Sequence, residues 1–162
     1  MPIEYSKNLA NKIQKLIDAN EWHAAFDESR GSFELNFKCE KFKVKRLRLV
    51  ICVHEDDYRV YTFPDLTIDM NDSHLVARVT EYILRVNDGA ANGLFSLDFD
   101  NGIISYKTFA SCRNGDIDSD DFFFNTVVHM FMFDTFGNGL LEIIYSNANV
   151  ESVYLAAKRS NN

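Results

Sequence analysis

The hydrophobic positions in the first half of the chain change from a helical to a strand period. Apolar residues recur every three or four positions over residues 5–19, with Lys, Asn and Gln between them, and this spacing predicts a first amphipathic helix. The following segments alternate between apolar and polar residues, which is typical of strands with one buried and one solvated face. They lie at about residues 22–27, 33–39, 47–53 and 58–63. Because turn residues separate them, an antiparallel meander is predicted.

The second half begins with helical spacing and continues with a hairpin. Asp72 is a candidate N-cap for a second amphipathic helix that ends near Gly89. Alternating apolar residues predict a strand at 95–99 and a return strand at 103–110. The Asn-Gly dipeptide at 101–102 tolerates the positive φ angles of a type I′ turn, which is the turn predicted between them.

A third and longest helix is predicted after the acidic residues at 118–121, because an N-cap and negative charges stabilise a helix N-terminus. Gly137 and Gly139 weaken its continuation, so a kink or short break is predicted before the apolar run at 140–145. A terminal helix follows at 150–158. The order helix, strands, helix, hairpin, long helix, short helix predicts an α+β fold with helices packed on an antiparallel sheet.

Composition and charge add the expectation of one acidic domain that spans residues 1–162. The 162 residues are 46% hydrophobic and 14% aromatic, which is enough for one sizeable core. The net charge of −7 disfavours general binding to nucleic acid or to anionic lipid. Neither a signal peptide nor a transmembrane span is expected, and the three cysteines lack C-x-x-C spacing. A cytoplasmic protein without membrane association is therefore expected.

Several runs in the second half carry a resemblance to a known family. They are Val86-Asn87, Gly93-Leu94-Phe95-Ser96-Leu97-Asp98 and Gly102-Ile103-Ile104-Ser105-Tyr106-Lys107, followed by the acidic start of the long helix and by the short last helix. On these residues the sequence resembles the YbjN domain family, which is similar in fold to type III secretion chaperones. The front half agrees in the order of its elements. The resemblance implies protein binding without catalysis and, as in secretion chaperones of this shape, a homodimer.

The predicted third helix is apolar on both sides between residues 122 and 136. At 100° per residue, one broad face is expected to pack on the sheet, and it consists of Phe123, Phe124, Val127, Val128 and Phe131. The other face is the candidate dimer or partner-binding surface, and it consists of Phe122, His129, Met132, Phe133 and Phe136. If its three Phe side chains stayed in water instead of being buried, roughly 5 to 9 kcal/mol of hydrophobic stabilisation would be lost. A second copy, the terminal helix or another part of this chain, and a ligand protein are the alternatives for covering it. A helix shorter than predicted is the remaining alternative.

A basic cluster stands out in the otherwise acidic chain, and it consists of Lys38, Lys41, Lys43, Lys45, Arg46 and Arg48. A patch for an acidic peptide or for nucleic acid is one interpretation. Solvated strand faces that prevent aggregation are the favoured one, because Phe42 is the one aromatic residue within the cluster.

The sequence contains no recognisable catalytic or metal-binding motif. Residues 114–120 superficially resemble a calcium loop, but Asp121 stands at the position of the loop glycine and Val127 at that of the bidentate Glu. The four histidines lack the spacing of a paired metal site, and Cys52 and His54 lack a third group that would orient them for catalysis. Neither a metal nor another cofactor is expected.

The sequence therefore predicts a non-enzymatic protein-binding domain, either chaperone-like or a regulatory adaptor, that binds a protein or peptide segment. The solvent-exposed face and the exposed edge strands of the sheet could bind an extended peptide. The alternative is a small-molecule-binding protein or an enzyme whose pocket forms only in three dimensions.

Overall fold

The structure, a computed structural model, describes residues 4–160 and contains the helices and strands in the predicted order. The elements are α1 (Lys7–Ala19), β1 (Ala24–Asp27), β2 (Ser32–Lys38), β3 (Arg46–Val53), β4 (Asp57–Phe63), α2 (Ser73–Asp88), β5 (Leu94–Leu97), β6 (Ile104–Ser111), α3 (Ser119–Tyr145) and α4 (Val150–Arg159). The strands form one antiparallel sheet in the order β1-β2-β3-β4-β6-β5. The α+β fold and the meander are confirmed.

Apolar and polar residues alternate along the strands, so the sheet has one face covered by the helices and one face open to solvent. On β3 the apolar residues Leu47, Leu49 and Ile51 are buried, while the intervening Arg48 is exposed. The covered face supports two adjoining cores: α1 packs over the β2–β4 side, and α2, α3 and α4 pack over the β5–β6 side. The helices therefore form a second layer on one side of the sheet.

The connection between β5 and β6 differs from the predicted type I′ turn. Gly102 has a φ of 68°, but Asn101 does not share the positive φ that this turn requires. The loop is longer instead: the Gly102 N–H donates to the Asp98 carbonyl, and the Asp98 N–H donates to the Ile103 carbonyl. A Cβ at Gly102 would collide with the carbonyl of Ile68, so close backbone approach as well as φ requires glycine here.

Helix α3 continues through Gly137 and Gly139, so of the kink or short break predicted there, the break is wrong. A Cβ at Gly137 would lie 2.5 Å from the Phe42 ring, and one at Gly139 would collide with the Tyr82 hydroxyl. The two glycines therefore let neighbouring aromatic side chains reach the helix backbone, at the usual cost in helix propensity. They are packing positions within a continuous helix.

By length and hydropathy, α3 also meets the criterion for a membrane-spanning helix, contrary to the sequence-based expectation. One such helix is weak evidence, because core helices of soluble proteins pass the same test. Here α3 packs on the sheet, and 44% of its apolar window is buried. Its hydropathy comes both from buried core residues and from exposed ones such as Phe124 and Phe131.

The short helix α4 is held beside α3 by specific contacts. The Arg78 guanidinium on α2 donates to the carbonyls of Ile143 and Ser146 at the end of α3, at 3.1 and 2.8 Å, and to the Ala148 carbonyl at 2.6 Å. These bonds satisfy carbonyls that a helix end leaves without partners. Phe136 and Tyr154 add a stacked pair with centroids 6.3 Å apart. These contacts hold α4 and the segment before it against α2 and α3.

Candidate functional site

The structure reverses the predicted roles of the two faces of α3. Four of the five candidate partner-binding residues lie in the core, namely Phe122, His129, Met132 and Phe133, and Phe136 is half-buried against α4. Of the face expected on the sheet, Val128 is buried as predicted and Val127 is half-buried, but Phe123, Phe124 and Phe131 are 45%, 52% and 58% exposed. The assignment of the faces is therefore wrong, and another part of this chain covers the residues first proposed as an interface.

Aromatic contacts explain which face is buried. The Phe133 ring lies between those of Phe42 and Phe95, with centroids 5.4 and 5.1 Å away. The Phe122 ring packs on Tyr58 at 5.7 Å. These partners come from the β2–β3 loop, β5 and β4, so the packing joins α3 to segments that are distant in sequence.

The polar residues of the buried face form a satisfied network. The Thr108 hydroxyl donates to the Asn125 carbonyl at 2.9 Å, so its oxygen can only accept from His129 Nε2, 3.0 Å away. His129 Nδ1 is then the acceptor for the Thr62 hydroxyl at 2.7 Å. Burial lowers the pKa of His129 to about 3, so the imidazole is neutral near pH 7. His129 is a structural residue of the core.

Acidification from pH 7 to pH 5 is expected to lower the free energy of unfolding by about 2 kcal/mol through His129. Its folded-state pKa of about 3 lies below the ordinary value of 6.5, so the unfolded chain binds a proton that the folded protein excludes. The stabilisation is complete above pH 6.5 and is lost progressively as the pH falls toward 3. The neighbouring Tyr106, whose pKa is raised to about 12 by burial, stays neutral throughout.

Urea unfolding at pH 7, 6 and 5, with and without His129→Gln, measures this effect. The variant is expected to be less stable at pH 7 but to lose most of the pH dependence, because glutamine does not titrate. The same slope in both proteins would assign the pH dependence to other groups.

The exposed face of α3 forms one wall of an apolar groove. The groove has a volume of about 570 Å³ and lies between α3, α4 and the connection from α2 to β5. Its lining from α3 consists of Phe124, Val127, Val128, Phe131, Met132, Thr135 and Phe136. Tyr154 and Lys158 line it from α4, and Gly89, Ala90 and Ala91 form a wall of small residues. A concave apolar surface of this size is typical of a binding site.

The groove has one charged lining residue within the described part of the chain. Lys158 lies at the end formed by α4, with its Nζ 6.0 Å from the centroid of the Tyr154 ring. Phe123 lies outside the groove and stacks on Trp22, with centroids 5.9 Å apart. Phe124 and Phe131 are therefore the large exposed side chains of α3 that the groove presents to a ligand.

The sequence did contain a signal for the correct face of α3. The positions 122, 126, 129, 133, 137 and 140 continue along one side of the helix, and all of them are buried. The opposite side, which carries Phe124 and Phe131, becomes polar at Asn138 and Glu142. This difference becomes visible only if the helix is followed past Gly137, where a break was expected.

The basic cluster is divided between two places. Its central lysines belong to the β2–β3 loop, which α3 holds through Asp134 and Asn138. Phe42, the aromatic residue within it, is completely buried. Lys38, Arg46 and Arg48 lie on the open face of the sheet.

The loop at residues 114–120 contacts α1 and caps the N-terminus of α3. Asp116 pairs with Lys12 of α1 at 3.1 Å, and Asp118 is the N-cap of α3. Within residues 4–160, no three metal-ligating side chains form a group that could hold an ion. Burial raises the pKa of the Cys52 thiol, which opposes formation of a nucleophilic thiolate near His54.

Comparison with known proteins identifies a fold. No protein-family model and no curated protein matches the sequence. Among solved structures, the chain is similar to YbjN from E. coli, a candidate transcription regulator, with a TM-score of 0.54 and 8% sequence identity. The similarity covers 94% of this chain and 92% of that chain. The resemblance inferred from the sequence is confirmed at the level of structure, and the chain has a YbjN-like fold.

Proposed function

We propose that this protein is a non-enzymatic cytoplasmic adaptor, chaperone-like or regulatory, that binds a helical segment of a partner protein in the α3–α4 groove. The observation that carries the proposal is the apolar groove with Phe124 and Phe131 more than half exposed at its wall. Covering the exposed halves of these two rings would contribute roughly 2 kcal/mol to binding. The description of the similar YbjN as a candidate regulator supports a regulatory role.

The shape of the groove indicates the chemistry of the segment. Large apolar side chains at helical spacing would fit against Phe124, Val127 and Phe131, which themselves lie three and four residues apart. The small residues at 89–91 allow the backbone of the ligand to approach closely. A carboxylate at one end would pair with Lys158. The proposed ligand is therefore an amphipathic helix with an acidic residue near one end.

Selection from a displayed library of amphipathic 16-residue helices tests the proposal. Selected peptides are expected to carry apolar residues at i, i+3 or i+4 and i+7 and to bind with micromolar Kd. Affinity is expected to fall at least tenfold in Phe124→Glu and Phe131→Glu, because each introduces a charge into an apolar contact. Phe109→Glu, on the open face of the sheet, is the matched control and should bind normally.

Equal binding to the groove variants and to the control would contradict the proposal. Mass spectrometry of the purified protein tests the alternative, a small apolar ligand that occupies the groove. Sedimentation velocity tests a second copy of this chain as the occupant, since the homodimer expected from the sequence would have to use an exposed face. A dimer that Phe131→Glu dissociates would identify that occupant.

A further inference from the structure

The fold brings aromatic and basic side chains together on the open face of the sheet. Tyr61 and Phe63 on β4 and Phe109 on β6 lie on this face. Within the described residues, the helices pack on the opposite side. Phe109 is 57% exposed, and the rings of Tyr61 and Phe63 are nearly parallel with centroids 6.5 Å apart. Their spacing follows from the period of two along a strand.

Arginine side chains lie against these rings. The Arg48 guanidinium lies over the Phe63 ring, 4.7 Å from its centroid, and that of Arg59 lies 5.9 Å from the centroid of Phe109. The antiparallel register makes these pairs cross-strand neighbours, since Arg48 is opposite Phe63 and Arg59 is opposite Phe109. Lys107 lies opposite Tyr61 on the same face. Each ring therefore has a cation beside it.

The charge of this face is opposite in sign to that of the whole chain. Its strands contribute five cations, Lys38, Arg46, Arg48, Arg59 and Lys107, and three carboxylates, Asp27, Glu34 and Asp57. Glu34 and Asp57 pair with Arg48 and Arg59 at 3.7 and 3.2 Å. The face thus has an excess of two positive charges on a protein with net charge −7. This asymmetry favours an anionic ligand that contacts the sheet face rather than the helices.

Two shallow cavities on the face repeat the same combination of side chains. One, of about 430 Å³, is lined by Arg46, Arg48 and Phe63 and by one carboxylate, that of Asp65, among others. The other, of about 390 Å³, is lined by Arg59, Tyr61, Lys107 and Phe109 among others. Each can receive a flat ring with an attached anion.

We propose that the open sheet face binds single-stranded nucleic acid, with bases stacked on Tyr61, Phe63 and Phe109 and phosphates paired with the adjacent arginines. Base stacking on aromatic side chains, combined with a cationic surface, is how sequence-tolerant single-strand binding is achieved. An acidic peptide fits less well, because the backbone groups of the central strands are already paired within the sheet. Such a peptide would gain no main-chain hydrogen bonds on this face.

Fluorescence anisotropy with labelled dT12 and rU12 at 50 mM salt tests the proposal. Single strands are expected to bind with micromolar Kd, to weaken roughly tenfold or more at 200 mM salt, and to bind at least tenfold more tightly than a 12-base-pair duplex. The double variant Phe63→Ala, Phe109→Ala is expected to lose at least tenfold in affinity. Thermal unfolding of the same variant checks that these surface changes leave the fold intact.

Matched controls distinguish binding at the sheet face from nonspecific electrostatic binding and from binding in the groove. Arg48→Glu is expected to weaken binding at least tenfold, whereas Lys15→Glu makes the same charge change on the exposed side of α1 and should leave it within twofold. Phe131→Ala in the groove should have no effect. Absence of single-strand binding at 100 µM protein, or binding that the double aromatic variant does not alter, overturns the proposal. Tighter binding of a glutamate-rich 12-residue peptide than of dT12 and rU12 would also overturn it.

Discussion

Replacing Phe133 with alanine is expected to lower the free energy of unfolding by about 3 to 5 kcal/mol, whereas Phe131→Ala is expected to change it by less than about 1 kcal/mol. Phe133 is completely buried between the rings of Phe42 and Phe95, and its truncation leaves a cavity that these rigid rings cannot fill. Phe131 is 58% exposed, so its truncation removes little buried surface.

Urea unfolding of the two variants tests the assignment of the faces of α3 directly. The two substitutions remove the same atoms from the same helix, so helix propensity and the unfolded state contribute almost equally to both. An equal loss of stability, or a larger loss at Phe131, would mean that the exposed and buried faces are assigned wrongly.

The sequence predicted the elements well where the periodicity is local. The alternation in β3 and the N-caps Asp72 and Asp118 are readable within a few residues, and each occurs as predicted. The turn at Asn101-Gly102 was predicted less well. Its backbone is decided by the contact of Gly102 with Ile68, which lies over thirty residues earlier in the chain.

The orientation of α3 could not be decided from its residues 122–136 alone, because both of its faces are apolar there. The threonine, asparagine and histidine of the buried face look like surface residues in the sequence. His129 can be buried because Thr62 and Thr108, on β4 and β6, satisfy its imidazole. Asn125 can be buried because its side chain bonds with Asn92 and Tyr58. Such pairings between distant segments exist only once the sheet has formed.

The same limit applies to the two candidate binding surfaces. The basic cluster contains one aromatic residue along the sequence, Phe42, and the fold buries it. The rings that lie beside Arg48 and Arg59 come from β4 and β6. The groove likewise combines α3 with α4 and with residues 89–92. Both surfaces arise from tertiary structure, so a pass along the chain does not find them.

Replacing Asp134 with alanine is expected to lower the free energy of unfolding by about 3 kcal/mol, because this carboxylate holds the β2–β3 loop on α3. It accepts hydrogen bonds from the backbone N–H groups of Glu40, Lys41 and Phe42 at 3.2, 2.9 and 2.9 Å. Burial opposes the charge, but these donors and the Cys39 thiol outweigh it and lower the pKa of the carboxyl group. The ionised form therefore stabilises the fold above about pH 4, and this contribution is lost as the pH falls below the ordinary value.

Hydrogen exchange at the amides of residues 40–42 reports on the loop itself. Exchange there is expected to accelerate at least tenfold in Asp134→Ala, because the amides lose their acceptor. Asp134→Asn keeps an acceptor oxygen without the charge, so its exchange rate should lie between those of Asp134→Ala and the wild type.

Glu142→Ala removes an exposed carboxylate from the same helix and is expected to change stability by less than about 0.5 kcal/mol. Unchanged exchange at residues 40–42 in Asp134→Ala would show that Asp134 does not hold the β2–β3 loop on α3. A change confined to residues 40–42 would show that the carboxylate acts on this loop, which carries the Phe42 ring into the core beside Phe133.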